Sequence, residues 1–429
     1  MLPQPGRNFQ AHYSIRLRSQ NVRLFLRQFF LYMSFLSTVR DRDISISEQA
    51  LNLLAARFGP GPEPGLVTVP GRVNLIGEHI DYHDLPVLPM AIQRRIVLAF
   101  RPRADLHVRA VSADIYGERE FSLDAAADPS PSGDWANYLK AACRAAQSRW
   151  QISYGIEAAI ASDLPAAAGL ASSSSLVVGF TIALLQANHI YPALHELLDV
   201  LPDAEQFVGT RGGGMDHAAV LAPEPGCALL VSFAPCDLAH IPVPPSWSFL
   251  VAHSLTHAEK SGAVRTEYNA RRTAGIRALQ SLGLPSYRAA LNGASPMQAA
   301  NVLTEPQRMA FLHVTSEAIR VQKAISAMHE ENIAAFGELL VASHTSLRDQ
   351  LRVSSPAIDS LVDAALDAGA QGARLTGAGF GGCVLVLCTA ADRDHVREQL
   401  IRNFYSKHRD FNPTNHLFLA EPSRGALVA

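Results

Sequence analysis

The chain has 429 residues, of which 48% are hydrophobic and 18% are charged, a composition typical of a globular protein with a sizeable core. Its length favours two or three domains. The formal net charge of -2 gives no electrostatic attraction to nucleic acid or to an anionic membrane, so neither is expected as a partner. The five cysteines are odd in number and lack ligand spacing, which argues against disulfides and zinc and favours a reduced, cytoplasmic compartment.

The first 40 residues differ from the rest of the chain, because they hold six arginines, no lysine and no acidic residue. The apolar run over residues 25–39 is interrupted by Arg27 and Gln28 and is too short to span a bilayer. A transit peptide is an alternative on composition, whereas a signal peptide is disfavoured because no small-residue cleavage site follows cleanly. We expect residues 1–44 to be an extension outside the fold.

Beyond this segment, apolar periods predict a mixture of helices and strands. Residues 45–58 predict an amphipathic helix whose apolar face contains Ile46, Leu51, Leu54 and Ala55. Strands are predicted over residues 66–69, 95–101, 106–111, 118–123, 155–161, 227–233, 247–252 and 384–387. Further helices are predicted from residue 135 toward 150 and over 176–187, 307–328, 332–344, 355–368 and 393–405. The first predicted strand, over residues 66–69, is expected to lead into a polar loop.

That loop carries the densest group of polar side chains in the chain, bounded on both sides by apolar runs: Arg72, Asn74, Glu78, His79, Asp81 and Tyr82. Carboxylates accept hydrogen bonds from hydroxyls and a guanidinium donates in a fixed fork, so this set suits a small ligand rich in hydroxyl groups. An exposed loop with a few salt bridges is the plainer alternative. Farther along, Trp135 and Tyr138 share a helix face and are either core aromatics or ligand contacts.

Residues 164–176 pass from a strand through a loop of small residues into an apolar helix. Unpaired backbone N–H groups and the helix dipole make such a junction an anion site, which phosphate groups suit. Because successive helical residues turn by about 100°, at most two or three of the four consecutive serines at 172–175 can face one ligand. A serine run alone would indicate a linker, but the flanking strand and helix argue against that.

Two glycine-rich segments follow. Residues 212–214 are three glycines that precede Asp216 at the start of a predicted helix, where helix capping is the alternative role for the carboxylate. Residues 375–383 place five small residues in a loop directly before a strand, which predicts a tight turn able to lie under an active site. The pattern of residues 253–272 alone predicts a surface helix.

The first motif, together with the later Asp-Tyr pair and residues 88–91, closely resembles the signature of the galactokinase family: Gly71-Arg72-Val73-Asn74-Leu75-Ile76-Gly77-Glu78-His79. This family belongs to the superfamily of kinases (GHMP kinases) that also phosphorylate homoserine, mevalonate and phosphomevalonate. The resemblance covers residues 45–429, and the spacing around Glu205 is most similar to the branch with N-acetylgalactosamine kinases and fungal-type galactokinases. It implies an α+β fold of two domains, a ribosomal-protein-S5-like one over 45–245 and a ferredoxin-like one over 246–429.

The resemblance also implies an activity, the ATP- and Mg²⁺-dependent phosphorylation of galactose at its anomeric hydroxyl by a monomeric enzyme. The implied catalytic residues are Asp216 and Arg72, with Arg72 keeping Asp216 ionised. Sugar contacts are carried over onto Arg72, Glu78, His79, Asp81, Gly213, Asp216 and Tyr268. Nucleotide contacts are carried over onto Trp135, Tyr138, Ala168, Gly169, Leu170, Ser172 and Ser173. The implied metal ligands are Ser173 and Glu205.

Four positions depart from the family pattern. Ala171 replaces a serine of the phosphate loop, and Ala167 stands where many galactokinases have glycine. Pro202 interrupts the helix expected before Glu205, and His217 replaces a usual glutamine. Two other functions stay open, an N-acetylgalactosamine kinase and a non-catalytic regulator that binds sugar and ATP. Regulators of this kind typically have a damaged phosphate loop, whereas this chain retains Arg72, Ser172, Ser173 and Asp216.

Overall fold

A computed structural model describes residues 45–114, 116–209, 212–256, 263–293 and 295–426. The predicted extension over residues 1–44 lies outside these ranges, and the chain from Ile46 onward forms one compact unit. Within the described ranges, no helix has both the length and the apolar character needed to cross a membrane. The mixture of helices with separate, mainly antiparallel sheets belongs to the α+β class, as predicted.

The described strands, in chain order, are β1 (Gly65–Ile76), β2 (Leu88–Arg103), β3 (His107–Ser112), β4 (Glu118–Ser122), β5 (Gly155–Ser162), β6 (Cys227–Ser232), β7 (Asp237–Pro242), β8 (Trp247–His253), β9 (Gly372–Thr376), β10 (Cys383–Thr389) and β11 (Leu417–Ala420). The described α-helices are α1 (45–58), α2 (Ala136–Arg149), α3 (Ser172–Ala187), α4 (Leu194–Gln206), α5 (Met215–Leu221), α6 (Ala263–Leu282), α7 (Tyr287–Leu291), α8 (Pro296–Ala299), α9 (Glu305–His329), α10 (Ile333–Asp349), α11 (Pro356–Asp367), α12 (Arg393–Asn403) and α13 (Pro413–His416).

The first half of the chain builds a five-stranded sheet in the order β1-β2-β5-β3-β4. Both faces of strand β2 are covered, because Leu98 packs in the main core while Val97 and Ala99 pack with α1. Helix α3 approaches the sheet closely at Gly179, where a Cβ atom would lie 2.6 Å from a methyl of Leu98. The N-terminal end of α3 lies beside the middle of β1, where Ser175 donates to the carbonyl of Pro70.

Helix α1 forms where the sequence predicts it, but its buried face differs from the prediction. Ile46, Ala50 and Leu54 are buried at intervals of four residues, which keeps them on one stripe of the helix. Ala55, assigned to that face by the sequence pattern, is exposed, so this part of the prediction is wrong.

Strand β1 is longer than predicted. The sequence pattern ends the strand near Val69 and places Arg72 in a loop, but pairing with β2 continues to Ile76, with Arg72 opposite Ala91. Register shifts after Pro70 and after Asn74 accommodate the polar residues. Because Arg72 and Asn74 are buried within a paired strand, they are held rigidly rather than on a mobile loop.

The second half of the chain builds a four-stranded antiparallel sheet in the order β11-β8-β10-β9. The predicted helices over 307–328, 332–344, 355–368 and 393–405 correspond to α9 through α12, each within a few residues. The glycine-rich segment 377–382 leads into strand β10, as predicted, and it follows strand β9, which was not predicted from the sequence. The domain boundary near residue 245 stays a prediction.

Candidate active site

Two cavities contain most of the residues singled out in the sequence. The first, called the sugar-side pocket after the ligand expected there, is lined by Arg72, Glu78, His79, Asp81, Pro202, Gly212, Gly214, Met215, Asp216, His217, Tyr268, Gly377 and Ala378. The larger cavity, of about 600 Å³, is lined by Trp135, Tyr138, Gly169, Leu170, Ser172 and Ser173 among others. Arg72 links them, since it lines the first and donates a hydrogen bond to the carbonyl of Gly169 in the second, at 2.7 Å.

At this junction, Arg72 and Asp216 form a buried ion pair. The guanidinium donates from Nε and NH2 to the same oxygen, Oδ1 of Asp216, at 2.8 and 2.6 Å. Arg72 is only 2% exposed, and its own backbone N–H donates to the carbonyl of Leu170 at 3.1 Å. The second oxygen of Asp216 lies 3.4 Å from the hydroxyl of Ser174. The carboxylate is therefore oriented by groups from two different elements.

The helix-capping alternative for Asp216 is wrong. The N-cap position of α5 is Gly214, whose φ of 100° favours glycine, and Asp216 lies inside the first turn. No side chain caps this helix. The carboxylate of Asp216 is thus available to contact Arg72 and to line the pocket.

The four serines of α3 divide as helical rotation requires. Ser172 and Ser173 line the larger cavity, whereas Ser174 faces Asp216 and Ser175 donates to the carbonyl of Pro70 at 2.8 Å. Ala171 occupies the N-cap position with a φ of 61° and makes no side-chain cap hydrogen bond. Backbone N–H groups of the first turn therefore meet no cap from that residue and can serve an anion.

Asp81 lines another side of the pocket and is contacted by Gly213, which does not itself line the pocket. The N–H of Gly213 donates to Oδ2 of Asp81 at 2.9 Å. Burial raises the pKa of Asp81 to about 6, with a further upward contribution from Asp216, while the backbone N–H groups of Gly213, Tyr82 and Met215 oppose the rise. Asp81 is therefore ionised at neutral pH but close to its titration range.

The contact at Gly213 leaves no room for a side chain. A Cβ atom there would lie 2.3 Å from the carbonyl carbon of Asp81, so Gly213→Ala must displace the Asp81 segment. We expect this variant to lose about 1–3 kcal/mol of stability and to bind sugar more weakly. Thermal unfolding and galactose titration check this, with Gly293→Ala as the matched control, since its Cβ would meet no atom closer than 3.4 Å. Equal melting temperatures for both variants would contradict it.

His79 and Tyr268 form an aromatic wall of the pocket, with ring centroids 5.2 Å apart, and the ring of Tyr82 packs against both of them. Nε2 of His79 lies 3.1 Å from the carbonyl of Ala378 and must donate to it, so Nδ1 accepts from the Tyr82 hydroxyl at 2.8 Å. Burial lowers the pKa of His79 to about 3, so the ring is neutral. Since both nitrogens are engaged, His79 shapes the wall and offers no ring N–H to a sugar without breaking a contact.

Glu78 lines the same pocket and is 1% exposed. Its carboxylate accepts from Asn74 Nδ2 and from the N–H of Gly377, and it lies 3.5 Å from NH2 of Arg374. Burial raises its pKa, and Arg374 and then Arg72 oppose that rise. The carboxylate is thus held from several sides.

The larger cavity brings together most of the predicted nucleotide contacts. Trp135 donates from Nε1 to the carbonyl of Tyr116 at 2.9 Å, and Tyr138 lies one helical turn farther on the same wall. Ala168 is the exception, because it is 1% exposed and does not line the cavity. Sequence reasoning missed Arg265, the one cation among the described residues on this wall. Its only signal was its place three residues before Tyr268, on the same face of α6.

The two glycine-rich loops touch each other. A Cβ atom at Gly377 would lie 2.6 Å from the carbonyl oxygen of Gly169, and one at Gly169 would lie 2.9 Å from the carbonyl oxygen of Thr376. Both glycines have positive φ, of 86° and 76°. The segment after β9 therefore supports the phosphate-loop backbone directly, as the sequence predicted for a loop under the site.

The predicted metal ligands are Ser173 and Glu205. Helix α4 continues through Pro202 to Gln206, so the proline does not end it before Glu205, whose side chain lies outside the described part of the structure. Among the described residues, no group of three or more His, Cys, Asp or Glu side chains is suited to a metal. The hydroxyl of Ser173 on the cavity wall nevertheless fits Mg²⁺, which binds oxygen ligands and commonly keeps phosphate and water among them.

Comparison with known proteins gives consistent matches. Three family models match: a galactokinase galactose-binding signature over residues 53–102, the GHMP kinases N terminal domain over 137–223 and the GHMP kinases C terminal model over 324–407. A galactokinase from Roseiflexus sp. (strain RS-1) is 38% identical over 79% of this chain and 87% of its own. One from Actinobacillus pleuropneumoniae is 32% identical over 82% of this chain and 92% of its own.

Among solved structures, Lactococcus lactis galactokinase complexed with galactose superposes with a TM-score of 0.79 at 27% identity, covering 89% of this chain and 98% of that one. The three regions matched by the family models contain all four motif segments, at 70–82, 164–176, 204–217 and 375–383. Tyr268 lies between the matched regions.

Proposed function

Because the chain belongs to the galactokinase family of GHMP kinases, we propose that it transfers the γ-phosphoryl group of ATP to the anomeric hydroxyl of galactose. The observation that carries this proposal is the Arg72–Asp216 pair at the junction of two cavities. One cavity is lined by acceptors for hydroxyl groups, and the other is headed by the N-terminus of α3.

Phosphoryl transfer depends on positioning and charge stabilisation more than on covalent chemistry. In the proposed mechanism, Asp216 accepts a hydrogen bond from the anomeric hydroxyl, orients it toward the phosphate and takes its proton as the new bond forms. Arg72 fixes Asp216 by two hydrogen bonds and places positive charge beside the transferring group. Because Arg72 is almost fully buried, little water screens its charge, and this strengthens both its contact with Asp216 and its effect on the transferring group.

The nucleotide is proposed to occupy the larger cavity. Its base lies against Trp135 and Tyr138, and its phosphates meet the Ser172 hydroxyl and the first-turn N–H groups of α3. Ser173 and Glu205 would hold Mg²⁺, which neutralises phosphate charge when bound. Arg265 supplies the fixed positive charge on this wall.

Galactose is proposed to occupy the sugar-side pocket, where the carboxylates of Glu78 and Asp81 accept from its hydroxyls and Tyr268 packs against it. The pocket is lined by a neutral His79 and three acids, one of which, Asp216, is paired with the pocket's fixed cation, Arg72. A neutral polyhydroxylated ligand suits this balance of charge.

The direct test is to incubate the full-length protein with ATP, Mg²⁺ and galactose and to follow ADP release together with formation of galactose 1-phosphate. Stoichiometric formation of both products supports the proposal. Sugar and ATP binding without turnover would instead favour the regulator, although Arg72, Ser173 and Asp216 are all in place for catalysis.

The raised pKa of Asp81 predicts a pH dependence of sugar binding. Protonation removes an acceptor, so the galactose Kd should rise by about tenfold per pH unit below about 6. The free energy of unfolding should change in the opposite direction. Because the pKa of Asp81 in the folded protein lies above its unfolded value of 3.8, Asp81 favours folding at low pH, and this contribution is lost as the pH rises through about 6. Calorimetric titration without ATP measures the Kd. Asp81→Asn should bind weakly at every pH, and a titrating Kd in that variant would assign the effect elsewhere.

A further inference from the structure

Arg374, on β9, is fully buried and is the bulkiest such side chain among the described residues. It does not line the sugar-side pocket, whereas Glu78, its ion-pair partner at 3.5 Å, does. NH1 of Arg374 donates to the carbonyl of Leu75 at 2.8 Å. The arginine therefore lies behind a carboxylate that faces the proposed sugar.

Burying a guanidinium whose N–H donors lack partners costs free energy, so a compensating interaction is expected. Nε and NH2 of Arg374 have no hydrogen-bond partner among the described residues, so the side chain is not fully used as a structural tie between β9 and β1. Its one carboxylate partner in the described part of the chain is Glu78. Charge compensation of Glu78 explains its burial better than backbone tethering alone.

The other charged groups around Glu78 do not replace this role. On β1, Arg72 gives its donors to Asp216 and to the carbonyl of Gly169. On α9, His313 contacts the backbone carbonyl of Glu78 at 2.9 Å, but burial lowers the pKa of its ring to about 4, so it is neutral at pH 7.

Also on α9, Glu317 is paired with Arg320 at 2.7 Å and accepts from the N–H of Gly77. In the segment that carries Glu78, His79 is neutral at pH 7 and Asp81 is negative. Arg374 is thus the cation with the larger effect on Glu78, ahead of Arg72, and the one that forms an ion pair with it.

We propose that Arg374 is a positioning residue of the sugar site, which keeps Glu78 ionised and aimed at the pocket so that it accepts hydrogen bonds from the sugar. The proposal rests on the proposed function, since it assumes a sugar beside Glu78. It predicts an effect on sugar affinity and its pH dependence rather than on the phosphoryl-transfer step.

The test measures the galactose Kd of the full-length protein by calorimetry between about pH 7 and pH 9, a range in which Asp81 is ionised throughout. The unmodified protein should show a flat profile. Arg374→Met removes the cation, raises the pKa of Glu78 and should weaken binding at least about tenfold at pH 7, with recovery toward pH 9. In the same variant KM should change more than kcat. Arg374→Lys, which retains the charge, should restore the flat profile.

The double variant Glu78→Gln/Arg374→Met removes both charges and so avoids an unpaired buried ion. It should bind galactose as weakly as Glu78→Gln alone, with no pH dependence. This comparison decides the question even where Arg374→Met does not fold. Weaker binding by the double variant than by Glu78→Gln, or a flat profile for Arg374→Met, would overturn the proposal. Failure of the unmodified protein to bind galactose would instead reject the proposed function.

Discussion

Asp216→Ala should lower kcat by at least about a hundredfold while leaving galactose binding largely intact, because a positioned acid–base or electrostatic group contributes that much. Asp216 receives two hydrogen bonds from Arg72 and lies where the two cavities meet, so its removal takes away both the hydroxyl acceptor and the partner of a buried cation. Steady-state kinetics with saturating ATP and a galactose titration measure the two effects separately. Normal turnover would show that Asp216 has no part in the reaction.

Arg72→Ala should act on the same step, and the double variant should be clearly non-additive, since residues that act as a unit are lost together. Asp216→Asn is the matched control, because it keeps the shape of the side chain and removes its charge. Additive losses of free energy for Arg72→Ala and Asp216→Ala would mean that the ion pair does not work as one unit.

Galactose should be preferred over glucose by up to about 10⁴-fold in kcat/KM, because a site that hydrogen-bonds one hydroxyl discriminates steeply when that hydroxyl points elsewhere. Glucose differs from galactose only in the direction of its 4-hydroxyl. The rigid support of Glu78 and Asp81, each held by a backbone N–H of a glycine, limits how far the acceptors can follow it.

The measurement compares kcat/KM for galactose, N-acetylgalactosamine and glucose at saturating Mg-ATP. Efficient use of glucose would contradict the proposed sugar site as a whole. A preference for N-acetylgalactosamine above about tenfold would instead reassign the substrate and leave the chemistry unchanged. The branch of the family suggested by the spacing around Glu205 stays a prediction, and this comparison bears on it.

The family and the α+β fold could be predicted from the sequence, because the motifs are contiguous runs whose order and spacing carry the information. The matches to galactokinase and GHMP kinase models confirm both. Single buried polar residues were missed because they belong to no contiguous motif. Arg374 and Ser174 have partners far away in the sequence, and neither Glu78 nor Asp216 is marked locally as their contact.

The loop predicted around Arg72 and Asn74 was wrong because tertiary pairing outweighed composition: both residues pair with β2, opposite Ala91 and Pro89, and are buried. For Asp216, a helix cap was the alternative to the catalytic role, and it fails because Gly214 takes the cap position while the carboxylate contacts Arg72. A lone arginine within the buried strand 372–376 was a usable signal for Arg374, since an unpaired charge there is unfavourable.

The contact between Gly169 and Gly377 has a consequence for biosynthesis. The N-terminal part of a chain leaves the ribosome first, so the phosphate loop emerges long before the segment that supports it. Gly377 and Ala378 also form part of the sugar-side pocket, and Gly377 donates to Glu78. A nascent chain that stops before β9 therefore lacks the residues that support the phosphate loop and complete the sugar-side pocket, and we expect it to consume ATP only once this segment is made, near the end of translation.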